Sequence, residues 1–198
     1  KKAQVLLDIE PKEEDKRRLK YADIFWKDRQ RKGISLLDAQ KWMRERNYFA
    51  AMMVNEGEAD AMVTGYSRSY PSVVKPVMEL IDKGPGVTRI ATTNMMMTAR
   101  GPIFLSDTAI NINPSAEDLA KIALMTAKTV RMFGMEPVIA MVSFSNFGSS
   151  QNESSKKIRD AVAYLHKYYP DLIVDGEIQT DFALNSDLLK SKFPFSKL

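Results

Sequence analysis

The chain contains no cysteine in 198 residues and a single histidine, His166. The first absence excludes disulfides, thiolate metal sites and cysteine nucleophiles, and it fits a cytoplasmic protein. The second excludes a histidine metal cluster. His166, set among Tyr164, Tyr168 and Tyr169 on the last clear helix, reads as a surface or packing residue. No apolar run approaches the roughly 20 residues of a membrane span, and the opening KKAQVLLDIEPKEED lacks the long apolar core of a signal peptide. There is no internal repeat and no low-complexity linker. A large excess of one charge is also missing: 29 basic against 25 acidic residues leave a net charge of +4. Much of that excess sits in Lys16 to Lys32, where Asp23 and Asp28 interleave with Lys and Arg. Such a segment is a solvated helix face rather than a nucleic-acid footprint.

What remains is an ordinary globular composition, 44% hydrophobic and 27% charged. The length suffices for one sizeable core, or one domain with an extension. The first residue is not methionine and both ends fall inside patterned sequence, so the chain reads as a piece of a longer protein, cut short at its carboxyl end.

One stretch organises the rest. Val138 to Ser150 reads VIAMVSFSNFGSS, five apolar residues followed by a run of hydroxyls, an amide and a glycine. Helical spacing resumes at Ile158, Val162, Leu165 and Tyr169, so the order is strand, polar loop, helix. Loops that leave the carboxyl ends of parallel strands are where α/β sheets bind ligands. Two readings stand: Gly148 with Ser143, Ser145, Ser149 and Ser150 suits an oxyanion or phosphate, or the segment is a plain serine-rich connection.

In chain order, Val5 to Ile9 is a short strand candidate. Pro11, Glu13, Glu14 and Asp15 then open a helix that Gly33 stops, with Leu19, Ile24, Phe25 and Trp26 inward. Further helices begin at Ser35, through Leu36, Leu37, Ala39, Trp42 and Met43, and at Tyr48, ending near Asn55 and Gly57. Met52, Met53 and Met62 read as core filler. Ala59 to Val63 is expected to be a strand, leaving through Thr64, Gly65, Tyr66, Ser67, Arg68, Ser69 and Tyr70. A helix over Ser72 to Ile81 follows, with Lys75 in its first turns. Arg68, Lys75 and the helix amino end form a candidate phosphate site, or the two charges are merely solvated.

Val87 to Met97 and Pro102 to Leu105 read as a hairpin, the only antiparallel signal, with Asp107 after it as a candidate polar contact. Ser115 and Asp118 have capping-box spacing at the start of the best helix, whose apolar face is Leu119, Ile122, Ala123, Val130 and Phe133 and whose stop is Gly134. After the organising strand and its helix, Leu172 to Val174 is a further strand ending in Asp175, Gly176 and Glu177, and Phe182 to Leu198 reads as irregular. Strands alternating with helices predict an α/β domain with a mostly parallel sheet, in which three polar exits, 64–70, 143–150 and 175–177, face one crevice.

Those exits resemble the phosphate acetyltransferase and butyryltransferase family. The family's strand GEADAxVSG and following T-x-R-P helix are matched by Gly57 to Gly65 with Lys75 and Pro76. Its SFSTKGSA strand is matched by Ser143 to Ser149, and its DGELQxDAA strand by Asp175 to Gln179 with Asp181. Phe104 to Ala123 also looks like the family's strand, acidic residue and helix. Within this resemblance, SFSNFGSS, NYFAAMMVNEGEADAMVTG and KFPFSKL are most similar to the acetyltransferase-like domain appended to large bacterial NADP-dependent malic enzymes. There are departures: Lys75 stands for an arginine, Phe147 for the lysine of the serine loop, and Arg68 for a histidine. The family's catalytic serine and arginine lie beyond the DGELQ motif and are not in this chain.

The resemblance implies a three-layer α/β/α fold with a mostly parallel sheet, of the isocitrate/isopropylmalate dehydrogenase-like kind. Residues 1–34 would be an amino-terminal strand and helical extension, and residues 35–198 the α/β domain. It implies acetyl-CoA or CoA, and phosphate, as ligands, contacted by Thr64, Gly65, Ser67, Arg68, Ser69, Lys75, Asp107, Ser143, Ser145, Asn146, Gly148, Ser149 and Asp175. NADP and a divalent metal would belong to a malic enzyme domain outside this sequence, as partner domain of the same chain in a homo-oligomer. Three functions follow: a regulatory acetyl-CoA-binding domain, an active phosphate acetyltransferase, or a structural oligomerisation domain, with the Trp26 to Trp42 region as a candidate interface.

Overall fold

The computed structural model describes residues 10, 11 and 15–198. The strand candidate Val5 to Ile9, with Glu13 and Glu14, lies outside them. The chain folds as two units that divide between Pro85 and Gly86.

Tyr21, Ala22 and Phe25 share one side of α1 (Arg17–Arg29), and that side sets the core of the first unit. A single 3-10 turn follows and ends at Gly33, whose φ of 83° is the left-handed stop expected of it. Ser35 and Asp38 form a capping box at the start of α2 (Leu36–Trp42), and α3 (Arg46–Asn55) follows. Tyr21, Phe25, Ala39, Met43, Phe49 and Met52 are almost wholly enclosed. Trp42 stacks on Tyr48 with ring centroids 5.4 Å apart and also meets Phe25 at 5.6 Å. The expected boundary near residue 34 therefore falls between two helices that share one core. Leu19 was expected inward but is 66% exposed, because it projects off the face that Tyr21 and Phe25 define. Each buried tyrosine finds a carboxylate at the rim: Tyr21 donates to Glu58 at 2.6 Å and Tyr48 to Glu79 at 2.6 Å. The charged face of α1 is solvated and ion-paired, as with Lys27 and Asp23 at 2.6 Å.

The expected strand Ala59 to Val63 does not form. A strand needs a ladder partner for its backbone groups, none exists for this segment among the described residues, and Val63 is 95% exposed. The segment runs without regular structure to α4 (Tyr70–Leu80), which carries proline near its start.

The second unit opens with the predicted hairpin, β1 (Thr93–Thr98) against β2 (Gly101–Ser106), antiparallel in the register Thr93↔Ser106 to Thr98↔Gly101. β1 begins later than Val87 because the preceding polar groups are already engaged. Arg89 pairs with Asp118 at 2.8 Å, and the carbonyls of Ile90 and Thr92 accept from Asn111 and Asp107. The Ser115–Asp118 capping box starts α5 (Ala116–Met132) as expected. Asp118 is held below the usual carboxylate range by its bonds from Ser115, with Arg89 adding to them.

Next come β3 (Val138–Val142), α6 (Glu153–Tyr168) and β4 (Ile173–Ile178), a parallel pair joined by a helix. Ala120, Ala123 and Ala127 of α5 meet Ala161 and Leu165 of α6 over Leu172 and Val174, and the small residues let the helices pack closely. His166 bonds the carbonyl of Val174 through Nε2 at 2.7 Å, a packing role.

β4 runs four residues past its expected end at Val174, to Ile178, so Asp175, Gly176 and Glu177 lie inside it. The tail is likewise more regular than expected: α7 (Thr180–Ala183) and α8 (Ser186–Lys192) form, the latter capped by Asn185. Phe193 packs on Phe182 and Phe147, and Phe195 on Phe147, tethering the tail. Among the described residues no helix is long and apolar enough to cross a membrane.

Candidate functional site

The loop after β3 is shaped by a break in the parallel ladder. Met141 pairs with Gly176 but Val142 pairs with Ile178, so Glu177 is left without a register partner. A Cβ on Gly176 would lie 2.5 Å from the Met141 carbonyl oxygen, and its φ is 142°, so only glycine lets the strands approach here.

The Glu177 side chain is fully buried beneath the loop. Its Oε1 accepts from the Ser145 hydroxyl at 3.0 Å, the Gly148 amide at 2.9 Å and the Arg159 guanidinium at 2.9 Å. Its backbone carbonyl accepts from the Phe147 amide at 2.8 Å. Ser155 of α6 bonds Ser145 at 2.7 Å, and Arg159 also donates to the Ser150 carbonyl at 3.0 Å. Just past the end of β4, Gln179 and Asn146 are joined twice, at 2.5 and 2.7 Å.

The structure thus brings together two of the three expected exits, 143–150 and 175–177, but gives their residues different stations. Ser145 is buried and bonded inside the protein. Ser149 is exposed, and Ser143, Asn146 and Gly148 are half-buried at the loop surface. Asp175 is buried, with Oδ1 bonded to the Gly176 amide and Oδ2 accepting from Ser196 and Lys197 of the tail. Asp107, at a φ of 59°, accepts from Asn111 at 3.0 Å at the base of the hairpin.

In the first unit, Thr64, Gly65, Ser67, Arg68 and Ser69 are all exposed. Thr64 donates to Asn47 at 2.8 Å, and Ser69 to Ser72 at 3.3 Å. Lys75 lies 5.2 Å over the Trp42 ring and 4.0 Å from Glu79, a cation already provided with an aromatic face and a carboxylate.

The residues that sequence reading did not place in the site are Glu177, Ser155, Arg159 and Gln179. Glu177 was visible as part of an acidic strand exit, but its burial was not. Arg159 and Ser155 sit four residues apart on α6, spacing that aims both at one target, which becomes a signal only once the helix is known to cover the loop. A separate cavity of about 440 Å³ opens at the other end of β3, lined in part by Val138, Ala140, Leu184 and Asp187, and none of the expected site residues lines it. Among the described residues no group of acidic or histidine side chains is placed to hold a metal ion.

Residues 2–198 match the family model described as phosphate acetyl/butaryl transferase, and the chain belongs to that family. The phosphotransacetylase of Streptococcus pyogenes superposes with a TM-score of 0.75 at 36% identity, covering 93% of this chain and 55% of that one. The NADP-dependent malic enzyme of Salmonella typhimurium is 38% identical over 201 residues, 100% of this chain and 26% of that protein. The phosphate acetyltransferase of Clostridium acetobutylicum is 35% identical over 185 residues, 90% of this chain and 56% of that protein. The chain thus spans from about a quarter to just over half the length of these curated relatives.

Proposed function

We propose that this chain is a regulatory acetyl-CoA-binding domain of the phosphate acetyltransferase fold, serving an NADP-dependent malic enzyme. The observation that carries the reading is the charge state of the serine loop. The guanidinium that reaches it, Arg159, is paired with buried Glu177, and Phe147 occupies the place where the family pattern has a lysine, its ring packed against Phe193 and Phe195. Acyl transfer to phosphate needs a base for the thiol and fixed positive charge for the phosphate and the oxyanion. A loop with hydroxyls, an amide and no available cation is suited to holding a ligand without turning it over. The match of malic enzymes across the whole chain supports the same reading.

The proposed contacts in the second unit are Ser143, Asn146, Gly148 and Ser149, the expected contacts of the loop that, unlike Ser145, keep some exposure. By itself, the first unit exposes Thr64, Gly65, Ser67, Arg68 and Ser69, a separate set of donors. NADP and a divalent metal would be held by the malic enzyme domain of the longer protein, and control would act through a homo-oligomer. A coupling of about 1–3 kcal/mol between ligand and malate sites is the ordinary scale for such control.

A second reading, an active phosphate acetyltransferase, is favoured by identities of 34–36% to enzymes of that name over 81–90% of this chain. One experiment separates the two. Acetyl-CoA is titrated calorimetrically into the intact protein, and thiol release on adding phosphate is followed with a thiol reagent. The chain has no cysteine and contributes no background to that signal. Saturable binding without turnover, together with a changed rate of malate oxidation, is the expected result. Sustained CoA release establishes the enzyme instead, and an absence of binding at millimolar ligand removes both.

A further inference from the structure

Glu177 is the one side chain of the serine-loop region whose burial calls for a reason beyond packing. It is 0% exposed, and its Oε2 is buried without a hydrogen-bond partner. Buried ion pairs are poor devices for stability alone, since apolar replacements of equal volume do as well or better. What this carboxylate does is fix a conformation. Phe147 and Gly148 have φ values of 42° and 89°, two successive left-handed residues, one of them not glycine. Such a turn points consecutive amides to one side and persists in a bulky residue only when its surroundings over-determine it. Here both amides point at Glu177, one to its carbonyl and one to its carboxylate. The hydroxyl of Ser145 is drawn inward by the same oxygen, and Arg159 ties that oxygen to the loop's far end at Ser150.

We infer that Glu177 is a positioning residue: with Arg159 as its counter-ion, it holds residues 143–150 in the form that turns Ser145 inward and leaves Asn146 and Ser149 at the surface. The inference rests on the reading of this loop as a ligand contact. Glu177 itself touches no ligand, and its effect on binding passes through the backbone of Phe147 and Gly148.

The test compares Glu177→Gln and Arg159→Lys in the intact protein by residue-resolved amide exchange and by acetyl-CoA calorimetry. Glu177→Gln keeps the shape but loses the charge that attracts Arg159. Arg159→Lys keeps the charge but replaces the planar guanidinium, whose Nη1 donates to both Glu177 and Ser150, with a shorter, flexible ammonium. In Glu177→Gln the Phe147 and Gly148 amides should exchange about tenfold faster and the acetyl-CoA Kd should rise about tenfold, the scale of one charge-assisted hydrogen bond. Amides in the middle of α5 should hold within about twofold, since they report global opening. Arg159→Lys should fall between, and it decides the matter if Glu177→Gln does not fold. Exchange that quickens equally in α5 and in the loop overturns the inference, and so does a loosened loop with unchanged affinity. If the unaltered protein binds no acetyl-CoA, the proposed function fails separately, and the exchange comparison alone decides whether Glu177 positions the loop.

Discussion

The two polar runs of this chain, 64–69 and 143–150, have similar composition and opposite anchoring. The first carries a glycine, hydroxyls and an arginine and is exposed along its length, with Thr64 bonded to Asn47 and Ser69 to Ser72. The second carries a glycine and hydroxyls too, but it is tied from beneath by a fully buried carboxylate, by α6 and by the aromatic tail. Carboxylates organise both units, in different ways. In the first unit Glu58 and Glu79 sit at the rim and receive neutral phenols, while in the second Glu177 sits inside and receives a hydroxyl, an amide and a guanidinium. A rim carboxylate keeps its hydration and steadies a helix; an enclosed one dictates the backbone around it.

The sharpest way to break the second arrangement is Gly176→Ala. The added Cβ meets the Met141 carbonyl at 2.5 Å. Overpacking together with the unfavourable φ should cost about 3 kcal/mol or more, read as a lowered midpoint in chemical denaturation. A midpoint unchanged from the parent would show that the ladder break does not need glycine.

Ser145→Ala against Ser67→Ala probes the contrast directly. Removing the Ser145 hydroxyl strips a donor from a buried carboxylate and leaves Ser155 without that partner, at about 1–3 kcal/mol. The same change at exposed Ser67 should stay within about 0.5 kcal/mol. Equal effects would mean that the two loops are anchored alike.

The smallest effect concerns the first unit at alkaline pH. Burial raises the Tyr21 phenol above its ordinary value, and its bond to Glu58 adds to this; burial and Glu79 do the same for Tyr48. A group with a raised native pKa contributes stability that is whole below its unfolded value, about 10 for tyrosine, and that declines as pH rises beyond it. Both tryptophans, Trp26 and Trp42, lie in this unit, so their fluorescence follows it selectively. Tyr21→Phe with Tyr48→Phe should flatten the alkaline decline. An identical decline in parent and variant would show that the phenol–carboxylate pairs contribute nothing to it.

Local chemistry made much of this chain legible in its sequence. The Ser115–Asp118 box, the Gly33 stop, the five apolar residues of β3 and the hairpin around Ala99 and Arg100 each depend on neighbours within a few residues, and each forms as read. So do the α/β class and the family, which ordered motifs carry. Ala59 to Val63 had the composition of a strand but required a partner from elsewhere. The tail looked irregular because its short helices are held by Phe147 and by Asp175, residues far back in the chain. By itself, then, the sequence determined the capped start of α5, the stop at Gly33, which strand precedes the serine loop, and the family. Only the tertiary structure decided that Ser145 faces inward and Ser149 outward, and that Glu177 and Arg159 meet beneath them. Caps and periodicity are short-range interactions written in adjacent residues, whereas the burial of a charge depends on which distant elements close over it.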